Sequence, residues 1–276
     1  MQLFYTPDHA RVGDVIPYYE NGEFKLFYLK NWNPYFGSDK TYGWHLLTTK
    51  DLIHYESETA IGILGGTGCI IKVEGLYHLY YCVFEDQPQR QYVCHATSTD
   101  LTNWTKYPDE TFGPDESIYL LTDWRDPHVI WNEEEKCWWM ILCAQNQGNT
   151  KRRGCVGLCK SADLHHWTCC EPLYAPQSSM SAYECPDLFY MNGWWYLVFS
   201  QFTDRFQTLY RMSRSCNGPW IRPKTDSFDG RAFYAAKTCS DGEHRYIFGW
   251  NPTRTQNTWN FDPDPTHEGY DYKTYD

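Results

Sequence analysis

Three carboxylates stand at the starts of apolar, strand-like runs in this chain. Asp14 precedes Val15-Ile16-Pro17-Tyr18-Tyr19, Asp126 precedes Pro127-His128-Val129-Ile130-Trp131, and Glu184 precedes Cys185-Pro186-Asp187-Leu188-Phe189-Tyr190. Acids in such places are costly to bury unpaired. Arg125 stands beside Asp126, and a structural ion pair at a strand edge would explain an isolated Arg-Asp-Pro. If the three runs are equivalent strands of a repeat, their acids face one place, and like charges repel in a cleft of low dielectric. Repulsion and burial there raise the pKa of one of them, as a general acid working near neutral pH requires. Two carboxylates flanking a glycosidic bond are the usual equipment for glycoside hydrolysis.

The repeat that would position them is visible. Short strands of β-branched and aromatic residues alternate with Gly, Pro, Asn and Asp, and no window shows a helical period. Each unit starts with an apolar strand, a polar turn and an aromatic strand. Examples are Asp14–Tyr19 with Phe24–Leu29, Thr67–Val73 with Leu76–Tyr81, Arg125–Trp131 with Cys137–Leu142, and Glu184–Tyr190 with Trp194–Phe199. A weaker fifth unit pairs Arg231–Ala235 with Arg245–Trp250. Between units recurs a polar-Asp-Leu-x-x-aromatic signature, at Lys50–Tyr55, Thr99–Trp104 and Ala162–Trp167, with a degenerate version at Cys216–Trp220. Units of roughly 50–60 residues with about four strands each are the mark of propeller blades. The prediction is an all-β, five-bladed β-propeller spanning residues 1–276 as a single domain. A two-sheet sandwich of similar strands does not account for the matching signatures. The last blade is expected to be incomplete, because the polar tail after Trp250 holds little that would serve as outer strands; its edge would be exposed.

Composition excludes several classes. The chain has 276 residues and a net charge of -11, which argues against nucleic acid or an anionic membrane as partner. No apolar run reaches ~18 residues, and no signal peptide is visible. The 12 cysteines sit mostly where a strand takes a small hydrophobe, so reduced thiols and a cytoplasmic location are expected. Neither Cys169-Cys170 nor His165-His166 has ligand spacing for one metal, so no metal and no cofactor are expected. An aromatic share of 18%, mostly Trp and Tyr, suits strand packing and stacking on sugar rings.

These motifs carry a resemblance. The chain resembles the propeller domain of glycoside hydrolase family 32, the β-fructosidases. Arg125-Asp126-Pro127 is similar to that family's Arg-Asp-Pro motif, and Glu184-Cys185 to its Glu-Cys motif. Asn33-Pro34, Trp44, Lys50–Tyr55, Gly66–Cys69 and Phe248-Gly249-Trp250 fall where family members carry further motifs. The resemblance implies Asp14 as nucleophile, Glu184 as general acid/base and Asp126 as transition-state stabiliser through fructose hydroxyls. It implies Arg125 as a sugar-holding residue, Trp44 and Trp32 as pocket walls or else packing aromatics, and Thr67 as a hydroxyl donor to substrate. The implied substrates are terminal β-D-fructofuranosides of the sucrose, fructo-oligosaccharide, inulin or levan type, cleaved with retention. Two departures stand out. The family's Asn-Asp-Pro-Asn run reads Val12-Gly13-Asp14-Val15-Ile16-Pro17 here, so Asp14 rests partly on repeat position. The usual C-terminal β-sandwich is also absent, which suggests a missing C-terminal domain, a homo-oligomer or a propeller-only member. An inverting arabinosidase or xylosidase resembling family 43, or a non-catalytic sugar-binding propeller, are the competing expectations.

Overall fold

Near-continuous apolar strands imply burial on both faces. The computed structural model describes residues 5, 7, 12–30, 43–56, 58–86, 89–148, 150–203, 206–230, 233–254 and 270–275. The first sheet runs β1 (Val12–Glu20), β2 (Glu23–Lys30), β3 (Gly43–Thr49) and β4 (Thr59–Ala60). The second runs β5 (Gly68–Val73), β6 (Leu76–Asp86), β7 (Gln89–Ser98) and β8 (Thr105–Lys106), followed by a 3-10 turn at Pro108–Glu110. The third holds β9 (Tyr119–Asn132), β10 (Cys137–Asn146), β11 (Gly154–Ser161) and β12 (Thr168–Tyr174). The fourth holds β13 (Tyr183–Met191), β14 (Trp194–Gln201) and β15 (Gln207–Ser213), and the last β16 (Tyr234–Ser240), β17 (Arg245–Arg254) and β18 (Tyr270–Tyr275). Every pairing is an antiparallel meander.

The inner strands pack in sequence, β1 with β5, β5 with β9, β9 with β13 and β13 with β16, and β16 returns to β1. The fold is all-β with a propeller arrangement. Apolar clusters fill the seams. Phe27, Leu29 and Trp44 meet Ile70 and Leu79 between the first two sheets, and Ile141 and Val156 meet Leu197 and Phe199 between the third and fourth. Val12, Phe24 and Leu26 meet Cys239, with Tyr246 and Phe248 packed against them, so the last sheet closes onto the first. All 12 cysteines are free thiols, most of them buried as small hydrophobes. Among the described residues, no helix is long and apolar enough to cross a membrane.

Two expectations about the last unit change. Its first strand, Tyr234–Ser240, runs past the expected end at Ala235 up to the hairpin turn at Asp241–His244, while Arg231 and Ala232 lie outside the described residues. The tail is not without strands either, since β18 pairs with Asn251–Arg254 of β17. The repeated Asp-Leu signature is a turn device. Asp51, Asp100 and Asp163 each accept backbone N–H bonds from the residues two and three positions on, while Leu52, Leu101 and Leu164 take positive φ. Asp side chains that cap their own turn in this way set the direction of the exit chain.

Candidate active site

The inner strands carry a shared irregularity. In β1, β9, β13 and β16 two residues oppose one on the neighbouring strand: Asp14-Val15, Asp126-Pro127, Cys185-Pro186 and Ala235-Ala236. The first residue of each pair has positive φ, 34° at Asp14, 58° at Asp126, 48° at Cys185 and 51° at Ala235. Each is a β-bulge with its lead residue in the left-handed region that favours glycine, a strained conformation concentrated at functional sites. Among the described residues, the inner strand of the second sheet pairs with β6 without such a bulge. This strand runs so close to β6 that a Cβ on Gly68 would lie 1.7 Å from the Tyr80 carbonyl oxygen.

The bulges correct the sequence alignment of the three acids. Asp14 and Asp126 are equivalent, but their counterpart in β13 is Cys185. Glu184 stands one residue earlier, level with Arg125 and Tyr234. Those three level residues form a chain across three sheets. Arg125 Nη2 donates to Glu184 Oε1 at 2.5 Å, and the Tyr234 hydroxyl donates to Glu184 Oε2. The bulge row is linked as well, the Cys185 N–H donating to Asp126 Oδ2 at 3.0 Å.

Asp14 is half-buried and accepts a 2.9 Å bond from Trp250 Nε1 across the seam between the first and last sheets. Burial first, and then the charge of Asp126, raise its carboxyl from 3.8 to about 7, against the opposing pull of Trp250 and Lys237. Asp126 is 5% exposed and is also pushed up by burial, with Arg125 opposing. A carboxyl raised by burial and by a neighbouring acid, as expected in such a cleft, is found at Asp14 and at Asp126. The arrangement can hold an anomeric carbon among an aspartate poised between its two charge states, a buried second aspartate and a glutamate fixed from two sides.

The other predicted residues separate. The Arg125 guanidinium donates to Glu184, Asp123 and Gln91. Trp44, expected as pocket wall or packing aromatic, is 1% exposed within the first core seam, and its indole donates to the Gly66 carbonyl. Thr67 is also 1% exposed, its hydroxyl buried without a hydrogen-bond partner among the described residues. Trp32 lies outside the described residues.

Sequence reading assigned no role to Trp250, Tyr234 or Lys237. Trp250 stood in a quoted motif, and Tyr234 would have emerged from aligning bulges instead of strand starts. Lys237, 2% exposed, donates to the Pro186 carbonyl and lies in the field of both aspartates.

Comparison with known proteins bears on this arrangement. The glycosyl hydrolases family 32 N-terminal domain matches residues 15–270. A levanbiose-producing levanase of Bacillus subtilis is 26% identical over 258 residues, covering 85% of this chain and 45% of the relative. A sucrose-6-phosphate hydrolase of Escherichia coli is 28% identical over 243 residues, covering 75% and 48%. The chain therefore spans about half the length of the curated relatives it matches. Among solved structures, sucrose-6-phosphate hydrolase from Lactobacillus gasseri superposes with a TM-score of 0.75 at 20% identity, covering 100% of this chain and 60% of that one. A Bombyx mori family 32 beta-fructofuranosidase gives 0.71 at 24% identity, covering 91% and 57%. Both structural likenesses speak to the fold.

Proposed function

The chain belongs to glycosyl hydrolases family 32, and from that premise we propose that it hydrolyses terminal β-D-fructofuranosides with retention, within a five-bladed ring whose last blade is short. The observation that carries this reading is the set of Asp14, Asp126 and Glu184 on linked inner strands, with Glu184 held by Arg125 and Tyr234. Asp14 attacks the anomeric carbon while Glu184 protonates the leaving oxygen. Water, deprotonated by Glu184, then releases fructose from the Asp14 ester. Asp126 binds fructose hydroxyls, and Arg125 fixes Glu184. Retention by two carboxyls corresponds to a separation of ~5–5.5 Å between them. The relatives named for levan and for sucrose 6-phosphate support a fructose-containing substrate. The free thiols fit a reducing, cytoplasmic setting.

The test is a screen of sucrose, sucrose 6-phosphate, levan and inulin, with the product anomer read by NMR. Fructose must appear first as the β-anomer; initial release of the α-anomer would sink the retaining mechanism. Glu184→Gln lowers kcat on these substrates by ~10²–10⁴-fold. The loss shrinks on aryl fructosides whose leaving group needs no proton, and an equal loss on both would remove Glu184 from the acid role.

The pH profile follows from Asp14. A nucleophile reacts ionised, so kcat/KM rises with pH as Asp14 deprotonates in the free enzyme, giving an acid limb near pH 7. Asp126 raises the Asp14 carboxyl and Lys237 lowers it. The limb therefore moves down in Asp126→Asn and up in Lys237→Met. A limb that stays in place in both variants would assign it to another group.

A further inference from the structure

A second cluster of titratable groups lies on the seam between the second and third sheets. His95 on β7 places Nδ1 2.5 Å from Glu110 Oε2, at the end of the 3-10 turn. His165, in the turn after β11, places its Nδ1 2.9 Å from the other carboxylate oxygen, Oε1. Behind them His78 Nδ1 lies 3.0 Å from His95 Nε2, the two rings stacked. The candidate donor atoms of His95, Glu110 and His165 all fall within 4.8 Å of one another.

We propose that His95, Glu110 and His165 bind a divalent transition ion of the zinc class. Two imidazole nitrogens and one carboxylate are the donor set of many tetrahedral zinc sites, and water completes the fourth position. Donors about 2 Å from one ion stand some 3–4 Å apart, so the present spacing closes with small side-chain rotations. His95 is 3% exposed, while Glu110 at 21% and His165 at 38% leave one side open for entry.

Three features favour a site over a plain hydrogen-bond network. First, both Nδ1 atoms converge on one carboxylate, where an ion can take the place of the two N–H protons. Second, a metal on His95 Nδ1 leaves its Nε2–H to donate to His78, the outer partner that metal-bound histidines normally have. His78 Nδ1 lies 3.0 Å from that nitrogen, placed to accept the bond. Third, His165 is not needed by its own turn. The turn is held by Asp163 with His166, as by Asp51 with His54 and Asp100 with Asn103, while the positions matching His165 carry Ile53 and Thr102. Local spacing in the sequence hides the site, because His95 and His165 lie 15 and 55 residues from Glu110.

The ion joins β7 and the 3-10 turn of the second sheet to the third, and it stands apart from the proposed hydrolysis. The test is calorimetric titration of chelator-treated protein with Zn²⁺, with Co²⁺ absorption reporting the coordination number. Wild type takes up one tightly held ion with a tetrahedral Co²⁺ spectrum. His165→Ala and Glu110→Gln lose that site while keeping the metal-free circular dichroism and Tm. His78→Gln weakens it ~10–100-fold, and His166→Ala leaves it unchanged. Because the chain holds 12 free thiols, uptake that persists in His165→Ala and Glu110→Gln would place the ion on cysteine and overturn the proposal. So would a failure of wild type to bind Zn²⁺ at millimolar concentration.

Discussion

Asp14→Asn is expected to abolish fructoside hydrolysis while making the protein more stable. Loss of the nucleophile lowers kcat by about 10⁴-fold or more, a barrier increase of roughly 5.4 kcal/mol. The stability effect has the opposite sign because the folded protein strains against this charge. Asp14 titrates at about 7 in the fold against 3.8 outside it, so its contribution to stability is fully present below pH 3.8 and is lost as pH rises through 7. The half-buried position tempers the cost, which stands on the order of a few kcal/mol at pH 8. Asparagine keeps an acceptor for Trp250 and removes the charge, so Tm rises, and by more at pH 8 than at pH 4. Full activity in Asp14→Asn would refute the catalytic assignment. Lost activity with a lowered Tm would point instead to a structural role for the carboxylate. A site that trades stability for function in this way is a recognised pattern.

The second large effect belongs to Arg125. Its guanidinium, 16% exposed, lies between Glu184, Asp123 and Asp126. Arg125→Met keeps much of the apolar stem and leaves these acids without their cation. Breaking a buried pair from one side costs about 3–5 kcal/mol, and partial exposure favours the lower end. A loss of about 3 kcal/mol lowers Tm by roughly 6–12 °C. Arg125→Lys recovers part of this, since an ammonium restores the charge without the two-armed geometry. Differential scanning calorimetry of the two variants decides the matter: a Tm change under 1 °C in Arg125→Met would mean that water, not Arg125, satisfies Glu184 and Asp123.

The sequence by itself determined the strands, their hairpins and the repeat. Strand period, turn chemistry and apolar runs are local, and each unit carries its own copy, as the Asp51, Asp100 and Asp163 turns show. It also put Asp14, Asp126 and Glu184 on inner strands, although Asp126 lies midway along β9 (Tyr119–Asn132) rather than at its start. Tertiary structure decided the rest. A bulge adds one residue to a period of two, so alignment by strand starts put Glu184 level with Asp126, whereas the folded strands put it level with Arg125 and Tyr234. Trp250 reaches Asp14 from 236 residues away, a contact no local pattern encodes. Which carboxyl is pushed up depends on burial and on neighbouring charge, and both come from sheet packing. The same packing put Trp44 in the core and brought His95, Glu110 and His165 together. Residue types set the available chemistry; the ring of seams fixed which groups share a dielectric and which side chains are within reach.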